Sequence, residues 1–220
     1  MIETAMDACS TGRVETDRST ARTRLLDAAE RLFREHGYDQ VSVRAINAAA
    51  GMNPAAVHYH FGSKEQLVTA LLERRLRPAW ERHLADLDER RSAGRPLTVA
   101  EIASMVTAPM ARIAGQPDGR ALLRLLARVT LSRRDLPWRS PWSAPEPWIG
   151  LLGQARPDLP ARVIEERWRL ARDLLLLTYG EPLAEPHAAD PDPLPGADMV
   201  AAFLAAGLDG PPPPGGTTHD

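Results

Sequence analysis

Cysteine, lysine and aromatic residues are scarce in this chain, and long apolar runs are missing altogether. One cysteine, Cys9, stands in a polar N-terminal stretch without an intrachain partner, which excludes a disulfide framework and suits a reducing compartment. The longest purely aliphatic run, 174–177, falls far short of the ~20 residues of a membrane span, and no basic stretch leads into an apolar core near the start. The expected location is the cytoplasm, with no membrane partner. A formal net charge of −2 excludes a globally basic surface, so a polyanion must be met by a local patch if at all. Also lacking are a glycine-rich phosphate loop, a nucleophile elbow and any His, Asp or Glu cluster at catalytic or metal-ligand spacing. Nothing argues for a catalytic residue, a cofactor or a metal.

What the chain does have is helical periodicity. Alternating strand patterns are scarce, and apolar residues recur at intervals of three and four almost throughout, so the fold class expected is all-α. The composition of 1–18 reads as a flexible arm and that of 210–220, with its proline run, as a disordered tail. Leu25, Leu26, Ala29, Leu32 and Phe33 form one stripe of a first helix that Thr20 can cap and Gly37 can end. Ser42 can cap a short second helix carrying Val43, Ile46, Ala49 and Ala50, which stops at Gly51. Asn53 offers a side-chain oxygen to a third, running from Pro54 to Phe61, with proline at its first position. Ser63 and Gln66 stand in capping-box register at the head of a fourth, long helix whose apolar face includes Leu67, Leu71, Leu76 and Trp80, and which Pro78 should kink. Further helices are expected near 98–114, 118–133, 160–179 and 197–208, separated by connectors at 135–149 and 180–196.

The first three of these make a functional pattern. Two short helices joined through Gly51, Met52 and Asn53, behind a longer packing helix, form a three-helix, homeodomain-like helix-turn-helix over 19–76. Its last helix fits a DNA major groove: the small Ala55 and Ala56 permit close approach to base edges, Val57 points inward, and His58 and Tyr59 are left to reach the DNA. Between Arg18 and Lys64 seven basic residues face four acidic ones, a local surplus of +3 in a chain whose total is −2. Lys64 is the only lysine among 27 lysines and arginines, and a cation at a helix N-terminus opposes the helix dipole unless an anion such as phosphate joins it. His58 and His60, two apart on a helix, point to different faces and hold no metal together; for His60 packing is the expected role.

The stretch 41–67, ending in His58, Tyr59, His60, Phe61, Gly62, Ser63, Lys64 and Glu65, closely resembles the DNA-binding domain of the TetR family of regulators. That resemblance implies Ser42 and Arg44 touching phosphates or bases from the second helix, Asn53, Pro54, Ala55, Ala56 and Tyr59 on the groove side, and Lys64 on a phosphate. Where His58 stands the family usually has a tyrosine as phosphate anchor; a neutral histidine donates there more weakly and with a pH dependence. Pro54 is also a departure, having no N–H to donate.

For 77–209 the resemblance implies an effector-binding and dimerisation domain: a helical pocket for a small hydrophobic molecule and two helices given to a homodimer. All five tryptophans lie here, and Trp80, Met105, Met110, Leu126 and Trp168 are the candidate ligand-binding residues. The dimer helices expected are those near 160–179, where Ile164, Trp168, Ala171 and Leu175 form a stripe before the apolar 174–177, and near 197–208. The layout after Trp80 is similar to that of a family subgroup that includes a fatty-acid-sensing regulator. The function implied is a ligand-responsive repressor, dimeric on a pseudo-palindromic operator and released by its effector. A transcriptional activator using the same contacts, and an α-helical enzyme with an appended DNA-binding module, are the alternatives.

Overall fold

A computed structural model describes residues 4–92, 94–132, 136–140, 143–182 and 193–211. Among these, nine helices and no strand are present. The chain divides into two compact units, Met1–Leu71 and Leu72–Asp220, and the division falls within a single helix, α4 (Lys64–Ser92).

In the first unit, α1 runs Thr4–Gln40 and is broken at Gly37, where φ is 74°. The helix end expected at Gly37 is therefore found, but the start is not at Thr20. Between Thr4 and Gly37 no proline interrupts the backbone, and a helix already nucleated propagates at little cost through alanine-, arginine- and glutamate-bearing sequence. Thr20 lies inside the helix, and the segment read as a flexible arm is helical from Thr4. The buried stripe of α1 is Leu25, Leu26, Ala28, Ala29 and Phe33.

Ser42 caps α2 (Val43–Ala49), its Oγ accepting from the Ala45 N–H at 3.1 Å. α3 (Ala56–Phe61) begins later than Pro54, because Asn53 and Pro54 form a turn: Asn53 Oδ1 accepts from the Ala55 N–H at 2.9 Å and its carbonyl from the Ala56 N–H at 2.9 Å. Gly62 closes α3 at φ 87°, donating to the Val57 and His58 carbonyls; a side chain there would be strained and would strike Gln66. Ser63 Oγ then accepts from the Gln66 N–H at 3.1 Å as α4 starts.

The second unit comprises the rest of α4 with α5 (Val99–Ala114), α6 (Gly119–Leu131), α7 (Glu146–Ala155), α8 (Ala161–Gly180) and α9 (Ala197–Asp209). α4 continues through Pro78 to Ser92. α5 packs on α9, α6 on α8, and α7 on α8. α7 was not expected: its first four residues lie in what reads as a proline- and tryptophan-rich connector, but Pro147 sits in the first turn, where its missing N–H costs nothing, and Trp148, Leu151 and Leu152 form its buried face. The C-terminal end of α9 is held by two arginines. Arg167 Nη1 donates to the Leu208 and Gly210 carbonyls at 2.8 Å each, and Arg156 Nη1 to the Asp209 carbonyl at 2.5 Å. No helix among the described residues is long and apolar enough to cross a membrane. Of the tail expected to be disordered, 212–220 lies outside the described residues, as does Trp142.

α5 opens with a reciprocal cap. Thr98 Oγ1 accepts from the Glu101 N–H at 3.2 Å, Glu101 Oε2 accepts from the Thr98 N–H at 2.9 Å, and Arg90 Nη1 donates to Glu101 Oε1 at 2.5 Å. The Thr98 backbone N–H first, then Arg90, hold the Glu101 carboxyl down at about 2. Because the folded value is depressed, the stabilisation is complete above the unfolded carboxylate range and is lost as pH falls toward 2. Glu101→Gln should melt a little below the wild type at pH 7, the effect being modest since the pair is partly exposed, and the two curves should converge between pH 4.5 and 2 in a circular-dichroism melt series.

Candidate nucleic-acid interface

α3 has fewer than two turns and cannot hold itself in place. Its inward side is Ala56, Val57 and Phe61, all buried. Its outward side is Ala55, His58 and Tyr59, spaced by three and four so that they share one face, with Tyr59 69% exposed. Ser42, Arg44, Asn53 and Pro54 are exposed as well. Ala56 is not on this face: with the helix beginning at Ala56 rather than Pro54, it turns inward and keeps only 7% exposure.

The residue that fixes α3 was not singled out from sequence. Asn47, 1% exposed on α2, reaches across the turn, its Oδ1 accepting from the Val57 N–H at 3.0 Å and its Nδ2 donating to the Pro54 carbonyl at 2.5 Å. One amide thereby satisfies backbone groups on both sides of the start of α3. The available signal was a polar side chain inside the apolar stripe of the second helix, between Ile46 and Ala50, where burial demands a partner.

Three of the seven basic residues in the local surplus are engaged in holding the module together. Arg22 Nη1 donates to the His60 carbonyl at 2.5 Å while its guanidinium lies 4.3 Å from the Phe61 ring centre. Arg24 Nη2 donates to the Ala50 carbonyl at 2.6 Å. Each thus caps the negative end of a short helix from α1. Lys64 Nζ donates to the Tyr38 carbonyl at 2.6 Å and sits 4.0 Å from the Tyr38 ring centre. The ammonium expected on a phosphate is thus turned toward the end of α1, a partner that also offsets the dipole conflict at the head of α4. The exposed cations of the stretch are Arg18, Arg31, Arg34 and Arg44, besides Arg24.

His58 Nδ1 lies 2.9 Å from the Gly62 carbonyl. A carbonyl only accepts, so Nδ1 carries the proton, and a neutral His58 turns an Nε2 lone pair outward. In that form it accepts hydrogen bonds instead of donating them, and only the protonated ring can donate to a phosphate. His60 is half-buried, and burial first, then Arg18 and Arg22, lower its proton affinity below the ordinary histidine value.

In the second unit Trp80, Met105, Met110 and Trp168 are buried and Leu126 half-buried. Trp168 stacks on Trp148 at 5.6 Å, and Trp80 meets Trp148 edge-on at 5.7 Å. A cavity of about 280 Å³ is lined by Arg90, Ala100, Glu101, Ser104 and Met105; of the candidate ligand residues it includes Met105 alone. Among the described residues no group of three or more His, Cys, Asp or Glu is placed to hold a metal.

A short outward-facing helix, clamped by a buried amide behind a packing helix, defines a helix-turn-helix DNA-binding module. Residues 25–71 match the model of the bacterial regulatory proteins of the tetR family. It is 36% identical over 59 residues to the HTH-type transcriptional regulator UidR of Escherichia coli (strain K12), covering 27% of this chain and 30% of that one. It is 43% identical over 60 residues to the HTH-type transcriptional repressor Rv1474c of Mycobacterium tuberculosis, covering 27% and 32%. The match thus spans about a third of the length of these curated relatives. The fatty acid degradation regulator FadR from Bacillus halodurans shares the fold with a TM-score of 0.52 at 16% identity, over 86% of this chain and 95% of that one.

Proposed function

We propose that the protein is a ligand-responsive transcriptional repressor of the cytoplasm that binds a pseudo-palindromic operator as a homodimer and leaves it when a small hydrophobic effector binds the helical unit. The observation that carries this reading is the outward face of α3, with Tyr59 exposed and the helix fixed by Asn47. Two recognition helices in successive major grooves explain a need for two copies. Support for the homodimer comes from Leu170 and Leu177 on α8 and Met199 and Phe203 on α9, large apolar side chains between 50% and 71% exposed. The match to a curated repressor supports the direction of control. A hydrophobic effector is in keeping with the aliphatic and tryptophan-rich interior of the second unit, and no enzymatic step is required of it.

The test is footprinting on DNA flanking the protein's own gene, with and without candidate hydrophobic molecules. A symmetric protected site that is lost on adding an effector is the result expected; absence of protection at low ionic strength sinks the reading. Two variants separate the parts of the face. Arg44→Ala should weaken binding to every duplex and reduce the slope of log affinity against log salt by about 1. Tyr59→Ala should instead reduce discrimination at particular bases by roughly tenfold while leaving that slope unchanged, as read by titrations across salt and base-substituted duplexes.

A further inference from the structure

α1 does more than support the outward face. Arg18 and Arg22 stand four apart and so share one side of the helix. Arg22 lies over Phe61, on the inner side of α3, and binds the His60 carbonyl. Arg18, one turn earlier and exposed, lies with its guanidinium carbon 5.4 Å from the centre of the Tyr59 ring. The Tyr59 ring also meets His60 edge-on, at 4.9 Å and 87°. The tyrosine that projects most from the module is therefore bordered by an arginine from α1 and an imidazole from its own helix.

An exposed tyrosine otherwise samples several rotamers, and each must be abandoned when it reads a base. A guanidinium over its ring restricts that choice before DNA arrives, which is preorganisation, and the planar group can stack with its face while keeping its edge N–H groups for other partners. We propose that Arg18 is a positioning residue for DNA recognition: it holds the Tyr59 ring in the orientation that reads the groove, making α1 part of the specificity apparatus. The inference rests on the DNA-binding reading above. Arg18 acts through Tyr59, so its effect on base preference disappears when Tyr59 is absent.

The experiment is a double-mutant cycle on the full chain. Arg18→Ala, Arg18→Lys, Tyr59→Ala and the Arg18→Ala/Tyr59→Ala pair are titrated with duplexes tiled from the gene's upstream region and with a poly(dA-dT) duplex, at several salt concentrations. Circular-dichroism melts confirm that each variant is folded; Arg18→Gln replaces Arg18→Ala if the latter is not. Arg18→Ala should lower the ratio of specific to poly(dA-dT) binding about fivefold, Arg18→Lys should recover part of it, and Arg18→Ala should add nothing in the Tyr59→Ala background. Equal loss on both kinds of duplex, whether or not Tyr59 is present, marks a phosphate-contacting cation alone and overturns the proposal; so does an unchanged ratio. Failure of the wild type to bind any tile counts against the DNA-binding reading itself, and is distinguishable because it precedes every comparison between variants.

Discussion

Asn47→Ala should destabilise the N-terminal unit by ~2–4 kcal/mol and remove specific DNA binding at concentrations where the wild type is saturated. The Val57 N–H, fully buried, loses its acceptor and has no water to turn to, and the Pro54 carbonyl loses its donor but lies at an exposed residue and can be rehydrated. Leaving a buried donor unsatisfied costs ~1–3 kcal/mol and the second bond contributes ~0.5–1.5 kcal/mol, a large share of the ~5–15 kcal/mol that ordinarily separates folded from unfolded domains. The functional loss should exceed the stability loss, since the six residues of α3 take their direction from this clamp. Asn47→Asp should not rescue: it keeps an acceptor for Val57 but sets a second acceptor, now charged, against the Pro54 carbonyl. Urea titration followed by tyrosine fluorescence and circular dichroism reads the first effect, and footprinting the second. A denaturation midpoint equal to that of the wild type would remove Asn47 from its assigned place.

How far such a site is legible in sequence depends on whether its cause is local. Ser42, Gly51, Gly62 and Ser63 declare helix ends through their own chemistry, and the helix-turn-helix follows from them. Thr20 misleads for the same reason: a good cap residue needs an unwound backbone before it, and nothing between Thr4 and Thr20 unwinds α1. The register of α3 depends on the turn that Asn53 makes with Ala55 and Ala56, and a shift of the helix start by two residues takes Ala56 from the groove face into the core. Charge is less legible still. Arg22, Arg24 and Lys64 add to a local surplus when counted, yet each binds a carbonyl at least 26 positions away in the chain, information that periodicity does not hold. The same is true of α7, whose prolines suggest a connector until Trp148 is seen to lie between Trp80 and Trp168. Trp80 and Trp168, singled out as ligand candidates, are both buried against Trp148.

Phe203→Glu should convert the proposed homodimer to monomer across the micromolar range. On α9, Val200, Leu204 and Leu208 face inward, so Met199 and Phe203, four apart, form a second apolar stripe that the helix does not need for its own unit. Leu170 and Leu177, seven apart on α8, form another, opposite the buried Trp168, Ala171 and Leu175. α8 and α9 also pack on each other. In a two-fold interface one substitution acts twice. Withholding two phenylalanines from burial forfeits ~3–6 kcal/mol, and two unpaired carboxylates at the contact add to that, so the dimer dissociation constant should rise by at least ~100-fold. Sedimentation velocity of the wild type, Phe203→Glu and an exposed control outside α8 and α9, Arg95→Glu, should give dimer, monomer and dimer, with unchanged helicity in all three. The monomer should then show only the weak, salt-sensitive DNA binding of a single module, because the second half-site no longer comes with the first. A dimeric Phe203→Glu protein at low micromolar concentration would place the subunit contact elsewhere and leave the exposed α8 and α9 stripes without that role.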